Sequence, residues 1–64
     1  MVDDLYELCR RLIEARRGDW QGALDDFTQA VGEGETTANA VLARYGAPAV
    51  LEALIREAGL YDPG

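Results

Sequence analysis

Residues 46–60 read GAPAVLEALIREAGL, and this stretch decides the fold class. Its apolar residues recur at three- and four-residue spacing, which is typical of an α-helix. Pro48 suits the first turn of a helix, and Gly59 suits the position just after its end. The pattern therefore predicts a helix from Ala49 to Ala58, with Leu60 folding back onto it in a Schellman-type contact.

The same spacing predicts three more helices before this one. The first runs from about Asp3 to Arg17. Asp19 is placed to cap the second helix, and Thr36 or Thr37 is placed to cap the third. Between them, residues 32–35 combine glycine with glutamate and are expected to form a flexible connection.

The predicted fold class is all-α, a small bundle of four short helices that is completed by homodimerisation or by a partner. With 64 residues the chain makes one domain, residues 1–64, of which 60–64 are expected to form a frayed tail. A domain of this size buries only roughly 60% of the surface that its unfolded chain exposes. Because the core is thin, self-association would add stability.

Composition argues against catalysis. The chain has no histidine and no lysine, and it has one cysteine. It therefore lacks the side chain that titrates nearest neutrality and the one that forms Schiff bases. Cys9 falls on the apolar face of the first helix, where burial keeps a thiol neutral. We predict a protein that is not an enzyme and that holds no metal or other cofactor.

The start of the chain, Met1-Val2-Asp3-Asp4, lacks the basic and apolar regions of a signal peptide. No apolar run approaches the length that a membrane-spanning helix needs. The sequence therefore predicts a cytoplasmic protein without a membrane partner.

Acidic residues are concentrated in the middle of the chain, whose net charge is −6. Residues 1–17 balance four acids with four arginines, whereas residues 18–43 hold five acids and no arginine. A segment of one sign speeds association with a basic partner. The alternative is that the acids only keep a small apolar domain soluble. The predicted partner-binding residues are Asp19, Asp25, Asp26, Glu33 and Glu35.

The fourth helix carries more apolar surface than three short neighbours are expected to cover. Only Glu52, Arg56 and Glu57 form a polar strip along it. The surplus predicts a homodimer or a partner-binding face. The predicted oligomer interface consists of Val50, Leu51, Leu54 and Ile55.

Residues 37–58 resemble a helix-turn-helix in outline, with a short glycine turn between two helices. The resemblance implies a DNA-binding transcriptional regulator. Such a protein needs polar and basic side chains on its second helix, where Arg56 is the only cation here. The net charge of −6 also opposes approach to phosphates, so we expect no nucleic-acid partner.

Residues 18–30 resemble the turn and second helix of a tetratricopeptide repeat. The matching residues are Gly18, Trp20, Ala23, Phe27 and Ala30. In the preceding helix, Arg11 and Glu14 stand where the repeat has a small residue and an aromatic one. Because about three such repeats are needed to bury their faces, no function is carried across from this family.

Together these features predict a small acidic protein–protein interaction module that regulates or inhibits a larger protein by surface binding. Its partner is another protein with a basic surface, and the chain is expected to form a homo-oligomer. Two alternatives stay open. One is a phage-type inhibitor that acts as a nucleic-acid mimic, and the other is a helix-turn-helix transcriptional regulator.

Overall fold

The computed structural model describes residues 4–62, which form four α-helices and no strand. The helices are α1 (Asp4–Ala15), α2 (Trp20–Gly32), α3 (Thr36–Tyr45) and α4 (Ala47–Leu60). The predicted all-α fold is confirmed. Within this part of the chain, every helix is too short or too polar to cross a membrane.

Every pair of helices in the bundle is in contact, and the most extensive packing is between α1 and α4. All four helices contribute side chains to one shared core. The buried apolar residues are Leu5, Leu8, Cys9, Ile13, Ala23, Phe27, Ala38, Val41, Val50, Ala53 and Leu54.

A Schellman motif ends α1. The amide of Gly18 donates to the Ile13 carbonyl at 2.9 Å. The amide of Arg17 donates to the Glu14 carbonyl at 3.2 Å, and Arg17 lies in the left-handed region with φ +52°. These two bonds provide donors for carbonyl groups in the last turn of α1, which have no amide of a following helical turn to bond to. The helix therefore ends at Ala15, earlier than the predicted Arg17.

A second Schellman motif ends α2. The amide of Glu35 donates to the Ala30 carbonyl at 3.0 Å, and that of Gly34 donates to the Val31 carbonyl at 3.1 Å. Gly34 has φ +82°, which glycine adopts without the strain that a Cβ atom brings. The predicted flexible connection is therefore a hydrogen-bonded turn.

This turn also changes the start of α3. Glu35, rather than Thr36 or Thr37, is the N-cap residue, and its side chain makes no capping hydrogen bond. The predicted threonine cap is wrong because the Schellman turn leads straight into helical backbone at Thr36.

One residue joins α3 to α4. Gly46 has φ +86° and ψ 157°, a region that is essentially open only to glycine. It ends α3, as predicted, and it also serves as the N-cap of α4. α4 therefore begins at Ala47, two residues before the predicted start.

The end of α4 differs from the prediction. The helix continues through Gly59 to Leu60, because Gly59 keeps helical backbone. Leu60 is 70% exposed and makes no Schellman-type contact. Tyr61, which was predicted to belong to a frayed tail, packs against the core. Residues 63–64 of that predicted tail lie outside the described residues.

Candidate functional site

Three of the five predicted partner-binding acids are exposed and have no hydrogen-bonded carboxylate in the described chain; we call this set, Asp25, Glu33 and Glu35, the acidic edge. Across residues 4–62, none of these three carboxylates belongs to an ion pair. Asp25 lies on α2, and Glu33 is the C-cap residue of that helix, about 12 Å further along its axis. Both residues are exposed to solvent, and the Asp25 carboxylate also interacts electrostatically with Arg16 at the end of α1.

Asp19 has a structural role. Its carboxylate accepts a hydrogen bond of 3.1 Å from the amide of Gln21, so it caps α2 as predicted. Capping of this kind typically stabilises a helix by about 1 kcal/mol. Although Asp19 is exposed, its carboxylate is already engaged at the start of the helix.

Asp26 also has an internal partner. The Arg16 guanidinium donates to both of its carboxylate oxygens at 2.7 Å and so links α1 to α2. This hydrogen-bonded arginine lowers the pKa of Asp26 from its ordinary value. A Cβ atom at Gly22 would lie 3.2 Å from the Arg16 side chain and 2.8 Å from the Asp19 carboxylate. The glycine within α2 therefore leaves room for both of these side chains.

The Arg16–Asp26 pair predicts a pH-dependent stability. Because the pKa of Asp26 is lower in the folded chain than its ordinary 3.8, its ionised form stabilises the fold above that pH. Asp26→Asn is expected to lower the free energy of unfolding at neutral pH. The difference from wild type should disappear as the pH falls through the lowered pKa of Asp26. Urea unfolding at neutral and strongly acidic pH measures this effect.

Asp25→Asn is the matched control, because it removes the same charge from the adjacent residue, which forms no ion pair with Arg16. Its effect on the free energy of unfolding is expected to stay small at both pH values. Equal pH dependence in the two variants would show that Arg16 does not stabilise the ionised form of Asp26.

The predicted oligomer interface divides into core and surface. Val50 and Leu54 are buried in the protomer core, and the oligomer interface stays a prediction. Leu51 is half-buried, and Ile55 is 46% exposed. Less apolar surface of α4 is exposed than the sequence analysis expected, because Val50 and Leu54 pack in the core.

An apolar groove that the sequence analysis missed lies between α2, α3 and α4, with a volume of about 180 Å³. We call it the α2–α3–α4 groove. It is lined by Leu24, Phe27, Thr28, Val31, Leu42, Ala47 and Val50. No charged side chain lines it. The apolar stripe of α2 was visible in the sequence, but its incomplete coverage depends on the packing of all three helices.

A larger cavity of about 410 Å³ lies where α1 meets the end of α4. Glu57 is buried in its wall and accepts a hydrogen bond of 3.3 Å from Arg10 Nε. Glu57, which the sequence analysis placed in the polar strip of α4, is therefore a buried member of it. Its spacing from Val50 and Leu54, seven and three residues, indicates the buried face.

Cys9 is fully buried, with its sulfur 4.0 Å from the Val50 carbonyl oxygen, in agreement with the predicted packed thiol. Between residues 4 and 62, no group of three or more cysteine and acidic side chains is arranged to hold a metal ion. The features that stand out for function are therefore the acidic edge and the groove beside it.

The chain matches no protein-family model, no curated protein and no solved structure.

Proposed function

We propose that the chain is a cytoplasmic protein–protein interaction module that regulates or inhibits a larger protein by occupying a basic surface on it. The observation that carries this proposal is the acidic edge, whose carboxylates are exposed and form no ion pair. Asp26 and Asp19, by contrast, are engaged within the fold, one in an ion pair and one as a helix cap.

Charge placement favours a partner with a basic surface. Residues 18–43, which include all of α2, contain no arginine that could neutralise the acidic edge. Exposed charges act together over about 10 Å at 0.1 M salt, which is close to the spacing of Asp25 and Glu33 along α2. Their combined field raises the rate of encounter with a basic surface.

The same charges disfavour direct binding to nucleic acid. The two helices that resemble a helix-turn-helix are joined by Gly46 alone, whereas that motif has a turn of about three or four residues. The guanidinium of Arg56, the cation on α4, lies 5.4 Å from the centre of the Tyr6 ring. This contact engages the side chain that would otherwise reach for phosphates or bases.

The proposal is tested by capturing partners from a lysate of the native host, identifying them by mass spectrometry and measuring their association rates. A variant with Asp25→Asn, Glu33→Gln and Glu35→Gln removes the acidic edge. At low salt it is expected to associate about ten-fold more slowly than wild type, within the usual range of electrostatic steering. The salt dependence of its association rate should also be weaker.

The matched control neutralises three exposed acids elsewhere, by Glu7→Gln, Glu14→Gln and Glu52→Gln. Both variants change the net charge by the same amount, so only the position of the lost charge differs. If both variants slow association equally, the acidic edge is not a binding surface. If DNA competes with the chain for the captured protein, the module acts as a nucleic-acid mimic.

A further inference from the structure

We infer that the α2–α3–α4 groove receives one apolar side chain from a basic segment of the partner protein. This inference rests on the proposed function, because it assigns to the partner both an apolar anchor and the cations around it. The groove has a volume of about 180 Å³. A cavity of about 150 Å³ accommodates benzene, so one aromatic or branched aliphatic side chain fits the groove.

Two exposed acidic residues are close along the chain to residues that line the groove. On α2, Asp25 is exposed and directly follows Leu24, which lines the groove. On α3, Asn39 Nδ2 donates to the carbonyl oxygens of Val31 and Glu35 at 3.2 and 2.8 Å. These bonds tie the start of α3 to the part of α2 that lines the groove. Glu35 therefore lies near one end of it.

This arrangement determines the chemistry of the occupant. No charged side chain lines the groove. Residues 18–43, which include Asp25 and Glu35, contain no cation. In a segment with an apolar residue flanked by arginine or lysine, the apolar side chain would be buried in the groove. The flanking cations would then lie near carboxylates. A second copy of this chain is disfavoured as the occupant of this groove, because its net charge of −6 would be repelled by the acidic edge. The partner segment is therefore basic and foreign to this chain.

The inference is tested with a displayed library of random peptides selected on the wild-type chain. Enriched peptides are expected to combine one large apolar residue with flanking arginine or lysine. Ala47→Trp fills the groove from an exposed position without changing charge. It is expected to weaken binding of these peptides about ten-fold, equivalent to about 1.4 kcal/mol. Ala43→Trp, at an exposed position outside the groove lining, is the matched control and should leave binding nearly unchanged.

A second pair of variants separates the groove from its electrostatic surroundings. Thr28→Lys and Gln29→Lys each add one positive charge to an exposed position of α2, but only Thr28 lines the groove. Thr28→Lys should weaken peptide binding more than Gln29→Lys does, while circular dichroism shows both variants folded. Equal effects within both pairs, or enriched peptides without an apolar anchor, would overturn the inference.

The two proposals can fail separately. If the groove variants bind the host partner normally while loss of the acidic edge slows its association, the proposed function stands and the groove is not used. If the selected peptides require the groove but neutralising the acidic edge has no effect on the host partner, the electrostatic proposal fails instead.

Discussion

Replacing Leu54 with glutamate is expected to unfold the chain, whereas the same replacement at neighbouring Ile55 is expected to leave it folded. Leu54 is fully buried, and Ile55 is 46% exposed. A carboxylate at position 54 would lie in the core, at a cost that exceeds the marginal stability of a small domain. At position 55 it would extend into water. Circular dichroism and thermal melting of the two variants measure this contrast.

The same pair tests self-association through α4, which stays a prediction. An interface of standard size covers about 800 Å² on each partner, so it would cover only part of the 4401 Å² surface of this chain. Ile55 and the half-buried Leu51 would lie at the centre of such an interface, where an added charge is most disruptive. Ile55→Glu should therefore turn a wild-type dimer into a folded monomer in light scattering.

Two outcomes would contradict this prediction. A wild-type chain that is monomeric at high concentration would remove α4 as a self-association surface. A dimer that persists with Ile55→Glu would place the interface on another face. If Leu54→Glu stays folded and equally stable, Leu54 does not occupy the core position described above.

The helices could be predicted from the sequence because their periodicity is local. Three- and four-residue spacing of apolar residues is a property of each segment alone, so all four helices were found. Their ends depend on backbone bonds between residues five apart, as in the turn where Glu35 bonds to Ala30. Glycine composition marked this turn at residues 32–35, but it did not specify that Gly34 alone adopts positive φ.

The candidate site was only partly predictable, because pairing across helices decides which acids remain exposed. Charge counting identified the acidic segment but treated Asp25 and Asp26 alike. In the folded chain Arg16 approaches Asp26 across the interface between α1 and α2, whereas Asp25 faces solvent. Neither the ion pair nor the groove can be recognised from the sequence of one helix, since each depends on how helices pack.

Removing Arg10 is expected to lower the free energy of unfolding by about 1–3 kcal/mol, the typical cost of leaving a buried acceptor without its partner. Glu57 is only 7% exposed, and the Arg10 side chain that pairs with it is 67% exposed. Arg10→Ala would leave the Glu57 carboxylate in place without this cation. Arg11→Ala is the control, because this exposed neighbour has no ion-pair partner among residues 4–62.

Replacing the acid rather than the cation should have the opposite consequence. Glu57→Leu removes the buried charge and fills similar space with apolar atoms, so stability is expected to stay equal or to increase. In the Glu57→Leu background, Arg10→Ala should then cost little, because no buried carboxylate remains to be neutralised. Urea unfolding of wild type, both single variants and the double variant gives the coupling energy directly, expected at about 0.5–3 kcal/mol for residues in contact. If Arg10→Ala costs the same in both backgrounds, Arg10 stabilises α1 through packing of its aliphatic stem, and Glu57 is held by other contacts.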